Sequence, residues 1–172
     1  ALVGIDAREG VGDDDLLLVH GRVPLAGGDV EYVATVPAYM VAIDATHVYF
    51  SEAAATGVSI DRIPKAGGDV EPIAEAASRV LFALDADHVY WLLPAEGTNV
   101  LVRGPKAGGE AQILSNTVPM KPERIVVLDP FVYVVVNVPL PTTGPRGLIE
   151  RYPVAGGPQV DLVALESPIA SL

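Results

Sequence analysis

A five-residue turn motif recurs four times along this chain, and its spacing constrains the fold more than any other feature. It reads Pro24-Leu25-Ala26-Gly27-Gly28, Pro64-Lys65-Ala66-Gly67-Gly68, Pro105-Lys106-Ala107-Gly108-Gly109 and Pro153-Val154-Ala155-Gly156-Gly157. Successive prolines lie 40, 41 and 48 residues apart, and an arginine precedes each by two positions: Arg22, Arg62, Arg103 and Arg151. A second landmark keeps the same period. Asp44-Ala45-Thr46-His47-Val48-Tyr49-Phe50 matches Asp85-Ala86-Asp87-His88-Val89-Tyr90-Trp91, and Asp129-Pro130-Phe131-Val132-Tyr133-Val134 matches with one residue deleted. The first copy is degenerate: Ile5-Asp6-Ala7 fits the start, but residues 8–15 hold no Val-Tyr equivalent. Self-similarity at this period marks a repeat architecture.

Each unit reads as four strands. In the second, residues 38–44 form an apolar run short enough for a buried strand, and residues 47–52 are aromatic and β-branched. Residues 58–64 alternate Val58, Ile60 and Arg62 against Ser59, Asp61 and Ile63, the period of a half-buried strand. The Ala-Gly-Gly turn follows, its glycines supplying the positive φ that a tight hairpin needs, and then residues 70–74. Gly and Pro together, 17 and 15 residues, punctuate the chain too regularly for helices. Residues 71–79 have helical composition but sit where a strand recurs elsewhere. A leucine-rich horseshoe would need shorter repeats, and a two-sheet sandwich would not need such strict repetition. The pattern predicts an all-β chain, a β-propeller with four four-stranded blade repeats over residues 1–37, 38–78, 79–122 and 123–166. Gly27, Gly67, Gly108 and Gly156 are expected in equivalent turns.

Residues 1–6 and 167–172 match the same first strand of a blade and cannot both fill it in a four-blade circle. The expectation is therefore part of a larger ring of roughly six to eight blades, completed by a second chain or a missing segment.

These motifs resemble the YWTD/NHL class of propeller repeats. More closely they are similar to bacterial, mainly secreted propellers with D-A-x-x-V-Y-W followed by R-x-P-x-A-G-G. The resemblance covers nearly the whole chain and implies a propeller fold and an extracytoplasmic or secreted location. It leaves function open, because this architecture hosts receptors, lyases, lactonases, scaffolds and sensors. Phe50-Ser51-Glu52 and Trp91-Leu92-Leu93 stand where the YWTD pattern has Trp-Thr-Asp.

Half of the residues are hydrophobic and 19% are charged, enough for a core and against disorder. A net charge of −11 repels phosphate backbones and anionic lipid, which argues against nucleic-acid partners. No apolar run approaches the ~20 residues of a membrane-spanning helix, so membrane insertion is not expected. With no cysteine there is no disulfide, thiolate catalysis or zinc–thiolate site. The chain does not begin with Met and carries no visible signal peptide, as expected of a processed chain or a fragment.

Asp6, Asp44, Asp85 and Asp129 end the first strand of each unit. A ring of carboxylates near a propeller axis could hold a cation; the favoured reading is that each caps its own following turn. Arg22, Arg62, Arg103 and Arg151 are read as bridges to carboxylates or carbonyls within the blade framework, not as an anion site. His47 and His88 are equivalent, but Phe131 fills the position in the next unit and His20 lies elsewhere, which argues against a shared metal. Asp13-Asp14-Asp15 lacks the spacing and glycine of a calcium loop; it reads as a solvated turn, with weak Ca binding as the minor option. Trp91 is read as core. The longest departure from symmetry is Val138-Pro139-Leu140-Pro141-Thr142-Thr143-Gly144-Pro145-Arg146, whose Thr142, Thr143 and Arg146 are the candidate contact residues of a variable loop. No G-x-S-x-G nucleophile context or phosphate-binding loop is present.

Three function classes follow. The first is a non-enzymatic binding or scaffold module, without a cofactor, whose blade-connecting loops meet a protein or glycan. The second is a lyase- or lactonase-type enzyme with a metal in the central channel. The third is a structural assembly unit.

Overall fold

The computed structural model describes residues 19–22, 29, 31–35, 38–78, 80–140 and 144–165. Asp6, residues 13–15, Gly27, Gly28 and the two matching ends, 1–6 and 167–172, lie outside the described residues. Every regular element among the described residues is a β-strand, and every pairing is antiparallel. The chain forms two compact units, Ala1–Arg79 and Val80–Leu172.

In the first unit, β1 (Val19–Arg22) pairs with β2 (Glu31–Thr35). A four-stranded meander follows: β3 (Ala38–Ile43), β4 (His47–Ala54), β5 (Gly57–Pro64) and β6 (Glu71–Ala76). The second unit holds two more meanders. One is β7 (Phe82–Leu84), β8 (His88–Ala95), β9 (Thr98–Pro105) and β10 (Gln112–Val118). The other is β11 (Pro122–Leu128), β12 (Phe131–Leu140), β13 (Gly144–Pro153) and β14 (Val160–Leu165).

The strand registers superimpose repeat on repeat. The central hairpins start at His47↔Pro64, His88↔Pro105 and Phe131↔Pro153. The arginines face Glu31, Glu71, Gln112 and Val160 on the last strand. Two rungs further, all four last strands bulge: Val33, Ile73, Leu114 and Leu162 are passed over by the pairing. A bulge at one fixed place increases local twist in the same way each time. The first repeat, degenerate in its early sequence, keeps this bulge in β1–β2 and so belongs to the same series.

The three described Pro-x-Ala-Gly-Gly segments close equivalent turns. Gly67, Gly108 and Gly156 donate their N–H to the carbonyls of Pro64, Pro105 and Pro153 at 2.9, 3.0 and 2.9 Å. Their φ angles are 86°, 79° and 83°, and the glycine after each also has positive φ. A Cβ at these three first glycines would meet nothing within 4 Å, so the backbone angle and not space demands glycine. The next residue of each turn is clipped to the preceding hairpin by Lys65 N–H to Thr46 O, Lys106 N–H to Asp87 O and Val154 N–H to Pro130 O, at 2.9, 2.9 and 3.0 Å.

The strict alternation expected over residues 58–64 is not what β5 shows. Val58 and Ile60 are buried on one face, but Asp61 and Ile63 are buried on the other, because both faces of this strand are covered. The same pattern recurs in β9. Size is compensated between the third and fourth repeats: bulky Trp91 lies across Gly104, while smaller Val134 accompanies Tyr152 at the equivalent pair. In the second unit one apolar core joins the two meanders, with Tyr90, Leu92 and Leu101 from one and Val132, Val134 and Tyr152 from the other.

Two glycine substitutions separate the two roles. Gly108→Val forces a β-branched residue to positive φ in open space and should cost about 1–2 kcal/mol. Gly104→Ala should cost about 1–3 kcal/mol by overpacking, because its Cβ would stand 2.8 Å from the Trp91 ring. Urea unfolding monitored by Trp91 fluorescence measures both, and only Gly104→Ala should also alter the native emission.

Candidate functional site

The repeated polar residues form a line across each meander. Asp44 Oδ1 accepts from the backbone N–H groups of Thr46 and His47, both at 2.8 Å, and Asp85 Oδ1 accepts from those of Asp87 and His88, both at 2.7 Å. The second oxygen of each carboxylate accepts from a tyrosine hydroxyl, Tyr49 at 2.9 Å and Tyr90 at 2.6 Å. These tyrosines are buried, and their rungs face Arg62 and Arg103. Arg62 Nε donates to Glu71 at 2.6 Å. Arg103 donates through Nη2 to Gln112 at 2.6 Å and through Nη1 to the Val154 carbonyl at 2.7 Å, in the turn of the following repeat.

Ionisation follows from this geometry. Burial, helped by the hydrogen bond to Asp44, pushes the Tyr49 hydroxyl up to about 12. Tyr90 is raised by burial and by Asp85 in the same way. Burial pushes Asp85 upward, but the Tyr90 hydroxyl and the two turn amides outweigh it and hold the carboxyl below its usual value.

The fourth repeat departs from the line at its start. Pro130 has no N–H to give the Asp129 carboxylate, the Asp129–Pro130 bond is cis, and Asp129 is exposed. Arg151 stacks on Phe131, its guanidinium carbon 4.5 Å from the ring centre, in a cation–π arrangement. Its Nε is buried without a hydrogen-bond partner among the described residues. Arg22 takes its place on β1, and its side chain is outside the description.

His47 Nδ1 lies 2.8 Å from Thr46 Oγ1, and His88 Nδ1 lies 3.5 Å from Asp85. Among the described residues no group of three His, Asp or Glu side chains is arranged to hold a metal ion. Trp91 is buried, with its indole Nε1 unpartnered among the described residues.

A pair of buried carboxylates escaped the sequence reading. Asp61 and Glu150 directly precede Arg62 and Arg151, and they are 4% and 2% exposed. Their only sequence signal is the acid–Arg dipeptide, which Val102 breaks in the third repeat. Asp61 accepts from the Ser59 hydroxyl and neighbours Glu52. Burial raises both Asp61 and Glu52, and in Glu52 the Asp61 charge adds to it. Glu150 accepts from the Tyr152 hydroxyl and from Gln159 Nε2 at 3.3 Å, and Gln159 in turn accepts from Thr117 at 2.7 Å.

The expected variable loop is largely a hairpin extension. β12 and β13 pair over ten rungs, to Leu140↔Gly144, whereas β4–β5 and β8–β9 pair over eight. Pro139 and Pro145 face each other, so both missing backbone donors fall on one rung and the ladder continues. Arg146 lies on β13 opposite Val138. Thr142 and Thr143 lie outside the described residues.

No protein-family model matches the chain, and no curated protein matches it. Among solved structures, it is similar to a chain in the crystal structure of a nidogen/laminin complex, with a TM-score of 0.58 and 15% sequence identity over 86% of this chain and 58% of that one. The fold is propeller-like. The chain thus spans 58% of the length of the chain it matches.

Opposite pH responses should distinguish the two kinds of carboxylate. Asp85, depressed in the folded state, contributes stability above the ordinary Asp range and loses it as pH falls through its folded value. Asp85→Asn should therefore cost about 1 kcal/mol at neutral pH, a deficit that closes in acid. Asp61 is raised, so its ionisation weakens the fold as pH climbs. Asp61→Asn should melt above the wild type at neutral pH and converge with it in acid. Melting curves across acid to neutral pH measure both, and parallel profiles for the two variants would refute the assignment.

Proposed function

We propose that this chain is a non-enzymatic binding module that displays its blade-connecting hairpins to a protein or glycan ligand from an extracytoplasmic position. The observation that carries the reading is the lengthened β12–β13 hairpin. It is the one central hairpin that outgrows its equivalents among the described residues, while the repeated Asp, Tyr and Arg groups of β3–β10 are engaged in holding the blades. A rigid sheet with one extended hairpin places contact groups at a fixed site with little ordering cost on binding. The propeller-like neighbour was crystallised as a complex of two proteins, nidogen and laminin, which supports protein binding as a use of such a fold. A second chain or a further segment completes the ring and holds the display surface in place.

The test shortens the hairpin. Replacing residues 138–146 by the two-residue connection found between β4 and β5 should leave the melting temperature within a few degrees. It should abolish binding seen for the intact chain on a glycan array or a panel of purified secreted proteins. Arg146→Ala should weaken that binding without changing stability. Retention of full binding by the shortened chain would defeat the reading.

A further inference from the structure

We propose that the Asp129–Pro130 peptide bond is a self-cleavage site, with the Asp129 carboxylate as its nucleophile. The equivalent aspartates of the two preceding repeats are tied down. Asp44 accepts from the amides of Thr46 and His47 and from the Tyr49 hydroxyl, and Asp85 accepts from the amides of Asp87 and His88 and from the Tyr90 hydroxyl. Neither carboxylate can swing towards its own main-chain carbonyl carbon without giving up these bonds. In the fourth repeat the turn is one residue shorter and proline follows the aspartate directly. Asp129 and Pro130 are both exposed, and among the described residues the Asp129 carboxylate has no hydrogen bond or ion pair. The carboxylate released from the turn is therefore the one that precedes a proline, in the chain's single Asp-Pro pair.

The nitrogen of an X–Pro bond is a tertiary amide and leaves as a secondary amine. An Oδ of Asp129 bonds to the main-chain carbonyl carbon of the same residue and closes a cyclic anhydride. The bond from that carbon to the Pro130 nitrogen breaks. Its electron pair stays on the nitrogen, which takes a proton from solvent. Water then adds to the anhydride and opens it to free carboxyl groups, so the net reaction is hydrolysis, with nothing oxidised or reduced. The nucleophile must be ionised and the leaving nitrogen protonated, which places the optimum near the ordinary carboxylate range, about pH 4. An attack within one residue needs no second reactant, and its rate depends on how freely the carboxylate reaches attack distance. The cut chain stays assembled. β11 pairs with β12 from Pro122↔Val136 to Leu128↔Phe131, Ile125 shares a core with Val132, Val134 and Val136, and the Pro130 carbonyl accepts from the Val154 N–H.

The inference is independent of what the extended hairpin binds, which lies at the other end of β12. The test incubates the chain in buffer at about pH 4, with far-UV circular dichroism reporting folding, and follows it by intact mass spectrometry and N-terminal sequencing. The 17.9 kDa species should convert into fragments 1–129 and 130–172, the second beginning at Pro130, while size exclusion under native conditions keeps the elution volume of the uncut chain. Asp129→Ala removes the nucleophile and should slow the cut by about tenfold or more. Ala45→Pro and Ala86→Pro each place an Asp–Pro bond after a tied carboxylate. The turn amides come from the residues that follow, so a proline at either position leaves those hydrogen bonds intact. In either variant that folds, the new bond should be cut about tenfold or more slowly than Asp129–Pro130. The wild type and Asp129→Ala decide the matter should neither proline variant fold. Absence of the Pro130 fragment, an Asp129→Ala chain cut at the wild-type rate, or a new Asp–Pro bond cut as fast as Asp129–Pro130 in the folded chain would overturn the proposal. Fragments that separate under native conditions would overturn its claim that the cut chain stays assembled.

Discussion

In the second and third repeats, the carboxylate at the end of the first strand is the polar constraint that ties the other strands of the blade together. One oxygen of Asp44 or Asp85 fixes the turn by accepting two successive amides, and the other fixes a tyrosine hydroxyl on the neighbouring strand. The turn sets where the second strand begins, and the tyrosine sets which face it buries. The tyrosine then lies on the same rung as the arginine of the third strand, which reaches the fourth through Glu71 or Gln112. Four strands are thereby pinned in register by one line of side chains. A one-residue slip in any pairing would turn the apolar row outward and strand the buried tyrosine oxygen at once.

This line explains which features were legible in the sequence. The turn motif and the Asp…Val-Tyr motif are local, and each specifies a local geometry, so strands and turns could be read from spacing alone. The arginines divide: Arg62 bonds to Glu71 and Arg103 to Gln112 and the Val154 carbonyl, as a bridge within the framework would, whereas Arg151 stacks on Phe131 and departs from that reading. Two things were not legible. The burial of Asp61 depends on both faces of β5 being covered, which no period-2 pattern in one strand reveals. The growth of β12–β13 into a longer ladder depends on Pro139 and Pro145 meeting across the hairpin. Read singly, each proline marks a loop; read as partners, they interrupt one rung only.

The fourth repeat shows what happens when the line loses its first member. Pro130 removes an amide, the Asp129 carboxylate stands in solvent, and the arginine turns to Phe131 where β4 and β8 carry histidine. The strands nonetheless keep their register from Phe131↔Pro153 onward. The apolar core behind them, built on Val132, Val134 and Val136, is sufficient to hold them. Polar specification and apolar burial are therefore partly redundant in this architecture. That redundancy is what allows one repeat to drift while its neighbours remain regular.

The link from one blade to the next is also tolerant of drift, for a different reason. Arg103 bonds to the Val154 carbonyl, a group that belongs to the backbone and not to the side chain. In sequence the equivalent position holds Leu25, Lys65 or Lys106 in the other repeats, and a backbone acceptor does not depend on which side chain stands there. What must be kept is the turn that aims the carbonyl, and this is set by the proline before it and the positive-φ glycines after it. The strictest feature of the sequence, its Pro-x-Ala-Gly-Gly motif with a variable second residue, is then the chemical requirement of a joint. At this seam the polar contact reads backbone geometry and ignores the identity of the turn side chain, while the apolar core of Tyr90, Leu92, Leu101, Val132 and Val134 supplies the side-chain packing.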